Sequence, residues 1–342
     1  MSDRLEPASK IYVAGHRGLA GSAIERVLRA EGYANIVTRT HAELDLTDQK
    51  AVEAFFAAEK PEFVVLAAAK VGGIVANDTF PAEFLRENLA IQTNVIHESW
   101  RVGVKRLLFL GSSCIYPRDC PQPIKEDYLL TGPLEATNRA YALAKIAGVE
   151  MCGSYNAQYG TKYVCAMPTN LFGRGDNYDL TTSHVLPALI RKAHEAKSSG
   201  SAEIVAWGTG TPRREFLFSD DLARACLVLL SRPWNEIEAA LPGKRLPLIN
   251  IGTGEDLTIR ELVETVNRIV GAHVTVRWDS TKPDGTPRKL LDVSRMFSLG
   301  WRPGVPFEKG IEMAYEDFLK RGSSPDTTPR SASPLRAPAS SA

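Results

Sequence analysis

The chain is poor in cysteine: its 342 residues hold five, Cys114, Cys120, Cys152, Cys165 and Cys226. The number is odd, none forms a CxxC pair and none has zinc-ligand spacing. A disulfide framework and a metal site are therefore not expected, and a reducing compartment is. Long apolar runs are also lacking. The most apolar stretches, such as 63–69, fall far short of the roughly 20 residues a membrane helix needs. Residues 1–10 are polar and carry no signal-peptide core, so a cytoplasmic protein with no membrane partner is expected. Excess charge of either sign is missing too, since 41 Lys and Arg face 40 Asp and Glu, a formal charge of +1. No global field then draws nucleic acid, and an anionic partner must be held by local charge. What remains is ordinary for a globular protein: 44% hydrophobic and 24% charged residues, enough for a large core. The length suits two ordinary domains or one large one.

From residue 10 to about 158, short apolar runs alternate with longer helical patterns. Strands are expected at 11–14, 35–40, 63–66 and 107–110. Helices are expected at 19–30, at 48–58 behind a Thr47 cap, and at 82–100. This alternation predicts an α/β fold, a Rossmann-type doubly wound parallel sheet over 10–175. Beyond Pro168 the pattern loosens into helices at 183–197, 219–231, 258–270 and 307–320, with strands at 203–206 and 247–251. A smaller, mostly helical lobe is expected over 176–320, with some segments returning to the sheet. Residues 322–342 are dominated by Ser, Pro, Ala and Thr, with Leu335 the one large aliphatic. Such a tail buries too little to offset its ordering entropy and is expected to be disordered.

Directly after the first strand stands Gly15-His16-Arg17-Gly18-Leu19-Ala20-Gly21, a G-x-x-G-x-x-G loop opening a helix. Glycines let a pyrophosphate approach the backbone, and the helix N-terminus supplies free N–H donors and positive potential. Dinucleotide sites for NAD place an acidic residue about 20 positions on. Here that position falls near His41, after Arg39 and Thr40, and no Asp or Glu ends the second strand. Arginine accommodates a 2′-phosphate, so Arg17 and Arg39 favour NADP(H). Asp45 and Asp48 follow, either to meet the adenine edge or to cap the next helix.

Tyr141-Ala142-Leu143-Ala144-Lys145 is Y-x-x-x-K. On a helix its two ends share a face, and a nearby ammonium lowers a phenol's pKa. The pair suits proton transfer to an alkoxide formed by hydride addition. Gly111-Ser112-Ser113-Cys114 follows the fourth strand, at the sheet edge where ligands bind.

The glycine loop, serine loop and Y-x-x-x-K, in this order, resemble the extended short-chain dehydrogenase/reductase family over about residues 10–320. The stretches AAAKVGGIVAN (67–77), FLGSSCIYP (109–117), YALAKIAG (141–148), MPTNLFG (167–173), SHVLPALIRK (183–192), WGTGTPRREF (207–216) and KPDGTPRKLLDV (282–293) are similar to one branch of it. That branch turns GDP-4-keto-6-deoxy-D-mannose into GDP-L-fucose by epimerising C3 and C5 and reducing C4 with NADPH. The resemblance implies that Ser112 and Tyr141 hold the substrate oxygen, and that Lys145 binds the nicotinamide ribose. It implies Cys114 as the epimerisation base and His184 as the acid, without saying which acts at which carbon. It also implies a cofactor lined by residues 15–21, Arg39, His41, Leu110, Gly111, Ser112, Ser113, Tyr141, Lys145, Pro168, Thr169, Asn170, Leu171 and His184. Lys192, Trp207, Arg214 and Asp284 match substrate-binding positions, and a homodimer through helices near 82–101 and 137–158 is implied.

His41 departs from the family pattern, standing where relatives can carry a second basic residue; Arg17 and Arg39 are expected to compensate. Related 4,6-dehydratases would carry Thr-Asp-Glu in place of Ser112-Ser113-Cys114, and 4-epimerases the acidic residue missing near 41. A non-catalytic NADP-binding relative would tend to lose Tyr141 or Lys145. Arg191, Lys192, Arg213, Arg214 and Arg288 are the cations available for a GDP pyrophosphate.

Overall fold

The computed structural model describes residues 3–243, 245–281 and 284–322. The expected disordered tail lies outside the described residues apart from its first position. In the first half the elements are β1 (Ile11–Ala14), α1 (Leu19–Ala30), β2 (Ile36–Val37), α2 (Gln49–Glu59), β3 (Phe63–Leu66), α3 (Ile74–Thr79), α4 (Pro81–Arg101), β4 (Arg106–Leu110), α5 (Arg139–Tyr159) and β5 (Tyr163–Pro168). Then come β6 (Asn170–Phe172), α6 (Val185–Ser199), β7 (Glu203–Trp207), β8 (Arg213–Arg214), β9 (Phe216–Phe218), α7 (Ser219–Ser231), α8 (Trp234–Ala240) and β10 (Leu248–Ile251). The last are β11 (Leu257–Thr258), α9 (Ile259–Val270), β12 (Thr275–Asp279), β13 (Arg288–Lys289), α10 (Ser294–Ser298) and α11 (Phe307–Gly322).

Six strands form one sheet in the order β10-β5-β4-β3-β1-β2, every pair parallel. β1, β3, β4, β5 and β10 are buried along their whole length, which is why they read as unbroken apolar runs instead of alternating ones. One core packs α1 and α7 on one face, and a second packs α2, α4 and α5 on the other. This is a Rossmann-type doubly wound sheet. A third core joins α6, α9 and α11 around Phe172, Phe216 and Phe218, on the carboxyl side of β5.

Some local expectations change. The second strand is two residues long, not six, because only Ile36 and Val37 pair with β1. The cap of α2 is Asp48, whose carboxylate accepts from Ala51 N, and not Thr47; Thr47 instead donates to Asp45. β6 and β9 escaped notice because each has three residues and pairs with the other across 46 positions of chain. Short strands stabilised only by a distant partner leave no periodic signal.

Candidate active site

β1 is the point from which the sheet grows both ways, to β2 on one side and β3 on the other, and ligands of open α/β sheets bind outside such a switch point. The chain leaves β1 through Gly15 at φ +85°, and a Cβ there would lie 2.6 Å from Ala68 N. At Gly21 a Cβ would fall 2.1 Å from Gly15 O. Gly18 differs: its Cβ would make only ordinary contact, 3.5 Å from Gly15 O. The fold therefore requires the outer glycines, while the middle one keeps the start of α1 open. No side chain caps that helix and no acidic residue occupies its first turn. His16 Nδ1 is buried beside it without a hydrogen-bond partner. An uncapped helix start, an open glycine and an orphaned ring nitrogen fit a pyrophosphate-bearing cofactor.

Arg17 is exposed at the loop tip, and Arg39 donates to Thr38 O, pairs with Glu59 at 2.6 Å and lies 5.3 Å over the Phe55 ring. Glu43, overlooked in the sequence, accepts from Thr40 N at 2.7 Å. The Thr40 N–H and hydroxyl, with Arg39 and Arg17, hold the Glu43 carboxyl below its usual range. Both arginines thus converge on one corner. His41 is 74% exposed there, its nearest acid Asp45 at 3.8 Å.

At the end of β4, Gly111 has no room for a Cβ, which would strike the Met167 side chain. Ser112 then caps a short 3-10 turn, Ser113–Ile115, accepting from Cys114 N at 3.5 Å. Lys145 is buried, donates to Leu110 O at 2.9 Å and lies 5.9 Å from the Tyr141 ring centroid. Burial brings its pKa down to about 8. Burial, then Cys114, pushes the Tyr141 phenol up, opposite to the lowering expected from Lys145. The Tyr141 ring packs edge-on against Phe84.

Cys114 lines a cavity with Glu135, Asn138, Thr286 and Lys289. Burial pushes its thiol up, while Lys289, the Ser112 hydroxyl and Lys145 pull it back. His184 opens α6 on a loop that Asp179 ties, its carboxylate accepting from Thr181 N, Thr182 N and Thr182 Oγ1. The ring is reachable from solvent yet crowded by protein, and that burial, followed by Lys289, pushes its pKa down. One lysine therefore acts on both Cys114 and His184.

In the second lobe, Lys192 donates to Val205 O at 3.0 Å and lies 5.8 Å from the Trp207 ring, which is 56% exposed. Asp284 pins the turn after Trp207, accepting from Thr209 N at 2.7 Å and Thr209 Oγ1 at 2.8 Å. Gly208 adopts φ +78° there and leaves space that Asp284 Oδ1 fills. Burial lowers Arg214, opposed by Asp284, and burial lowers Lys192. Lys192, Trp207, Asp284 and Arg214 are thus brought to one wall.

The family model for the NAD dependent epimerase/dehydratase family matches residues 11–241. GDP-L-fucose synthase 1 of Arabidopsis thaliana is 56% identical over 94% of this chain and 95% of its own length. The chain belongs to this family, on its GDP-L-fucose synthase branch. GDP-L-fucose synthase of Escherichia coli (strain K12) is 50% identical, covering 91% of this chain and 97% of that one. A solved GDP-mannoheptose C4 reductase from Campylobacter jejuni with NADP bound superposes with a TM-score of 0.83, at 40% identity, over 92% of this chain and 99% of that one.

Within this family member, three of the five cations named from sequence are committed elsewhere. Arg191 pairs with Glu195, and Arg213 and Arg288 both pair with Asp256. Lys289 was overlooked although it adjoins Arg288 in sequence. Its place comes from register, which the sequence does not announce: β13 pairs with β8 so that Lys289 stands opposite Arg214. Asn170 turns its amide to Glu215 O at 2.7 Å, and Thr169 donates to the same carbonyl at 3.2 Å. Among the described residues no group of His, Cys, Asp and Glu could hold a metal ion, and no helix is long and apolar enough to cross a membrane.

Proposed function

We propose that this chain converts GDP-4-keto-6-deoxy-D-mannose to GDP-L-fucose, epimerising C3 and C5 and reducing C4 with NADPH. The observation that carries the reading is that Cys114, held against Ser112, lines one cavity with Lys289, whose charge also acts on His184, while Tyr141 and Lys145 share the neighbouring helix face. A simple reductase needs only the second set.

NADP(H), when bound, supplies the hydride. The uncapped start of α1 with Gly15, Gly18 and Gly21 would hold its pyrophosphate, and Arg17 and Arg39 its 2′-phosphate. The loop residues His16, Leu19 and Ala20 would flank it, as would Leu110, Gly111, Ser113 and Pro168–Leu171 at the ends of β4 and β5.

C3 and C5 both lie alpha to the C4 ketone, so their C–H bonds become acidic only if the enolate oxygen is stabilised. Ser112 and Tyr141 donate to that oxygen, and the same clamp holds the C4 oxygen when Tyr141 later protonates it. Cys114 takes the proton from carbon and His184 delivers one to the opposite face. Lys289 favours the Cys114 thiolate. It also opposes protonation of His184, and with Arg214 beside it in register it offers positive charge to the substrate's diphosphate. Lys192, Trp207 and Asp284 grip the nucleotide end, Trp207 offering a face for stacking. A homodimer through α4 and α5 accords with the exposed Leu143 and Tyr159 on α5.

The test is incubation with GDP-4-keto-6-deoxy-D-mannose and NADPH in deuterated water. GDP-fucose labelled at both C3 and C5 is expected. NADPH oxidation without label would make the chain a C4 reductase, like its Campylobacter relative.

A further inference from the structure

Glu215 is fully buried between β8 and β9, and no described cation forms an ion pair with it. Its carboxylate is held entirely by donors from separate parts of the chain. Oε1 accepts from Gly254 N at 2.8 Å and from Thr253 Oγ1 at 3.4 Å. Oε2 accepts from Leu291 N at 3.0 Å. At Gly252 a Cβ would come 2.1 Å from Oε1, so the chain leaves a slot for this side chain. The Glu215 carbonyl, in turn, receives Asn170 Nδ2 and Thr169 Oγ1.

Each of these tethers ends beside a residue of the proposed site. Arg214 precedes Glu215. Leu291 is two residues beyond Lys289, whose strand pairs with Arg214 in register. The turn at 252–254 leads into β11, which pairs with Arg214 from the other side. Thr169 and Asn170 follow β5, on the cofactor side. One buried carboxylate therefore joins the strands bearing the diphosphate cations to the segment lining the cofactor.

We infer that Glu215 is a positioning residue, setting where Arg214 and Lys289 stand relative to Thr169 and Asn170. The inference rests on the substrate reading above. The carboxylate is required because both oxygens accept from N–H groups. A glutamine of the same shape must turn its NH2 toward either Gly254 N–H or Leu291 N–H, setting donor against donor. An aspartate keeps two accepting oxygens on a shorter stem.

Wild type, Glu215→Gln and Glu215→Asp are compared in turnover and, separately, in calorimetric binding of GDP and of NADPH. In the glutamine variant, GDP affinity and substrate KM should each worsen about ten-fold, with NADPH affinity unchanged. The aspartate variant should fall between it and wild type. A merely structural role would lower kcat in step with the lost NADPH-binding sites and leave KM and GDP affinity unmoved; that result overturns the inference. If the glutamine variant does not fold, the aspartate variant decides, and wild-type GDP affinity in it overturns the inference. A wild type that binds GDP but does not turn over the ketosugar counts against the proposed reaction, while the GDP comparison still judges Glu215.

Discussion

Replacing Lys289 with glutamine should move the pH optimum of epimerisation to higher pH. The base must be thiolate and the acid imidazolium, which is the unfavoured pairing of protons. At ordinary pKa values of about 6.5 and about 8.5, the competent form is only about 1% of the enzyme between the two. Burial raises Cys114 and lowers His184, so the fraction is smaller still. Lys289 lowers both groups, because a cation favours the thiolate and disfavours the imidazolium. Removing it raises both. The midpoint of the bell then climbs, while the height, set by the difference between the two pKa values, changes much less. The assay is the rate of solvent deuterium uptake at C3 and C5 at saturating substrate, from about pH 5 to about pH 10. A profile that stays in place, or moves to lower pH, would refute the claim that Lys289 acts on both groups.

The glycine loop offers a second test. Gly18→Ala should fold with an unchanged Tm but bind NADPH about ten-fold more weakly or worse, because its methyl stands where only a ligand competes. Gly21→Ala should lose stability by about 1–3 kcal/mol or more, since its Cβ would lie 2.1 Å from Gly15 O, and this is read in Tm without cofactor. For cofactor choice, the ratio of kcat/KM for NADPH over NADH should fall in Arg17→Ala. A ratio near unity in wild type would remove the 2′-phosphate role of Arg17 and Arg39.

The sheet and its loops were legible because their signals are local. Buried parallel strands are apolar runs, the glycine loop is contiguous, and Tyr141 and Lys145 are one helical turn apart. The charge wall was only partly legible, because pairing with distant carboxylates decides which cations stay available. Asp256 takes Arg213 and Arg288, and nothing near either arginine in sequence announces that. Lys289 and Glu215 were illegible for a related reason. Their importance comes from strand register and from backbone N–H groups, which have no letter in the sequence. Tyr141 shows the converse: Y-x-x-x-K correctly brings its ends to one helix face, yet burial, not the lysine, dominates the phenol.

The central claim is that two sets of residues divide two reactions in one site. Cys114→Ser with GDP-4-keto-6-deoxy-D-mannose and NADPH in deuterated water tests it most directly. Deuterium uptake at C3 and C5 should slow by about 10²–10⁴-fold, the cost of losing a general base. NADPH should still be oxidised, yielding unlabelled sugar reduced at C4. Uptake at the wild-type rate, or loss of hydride transfer together with uptake, would contradict the division.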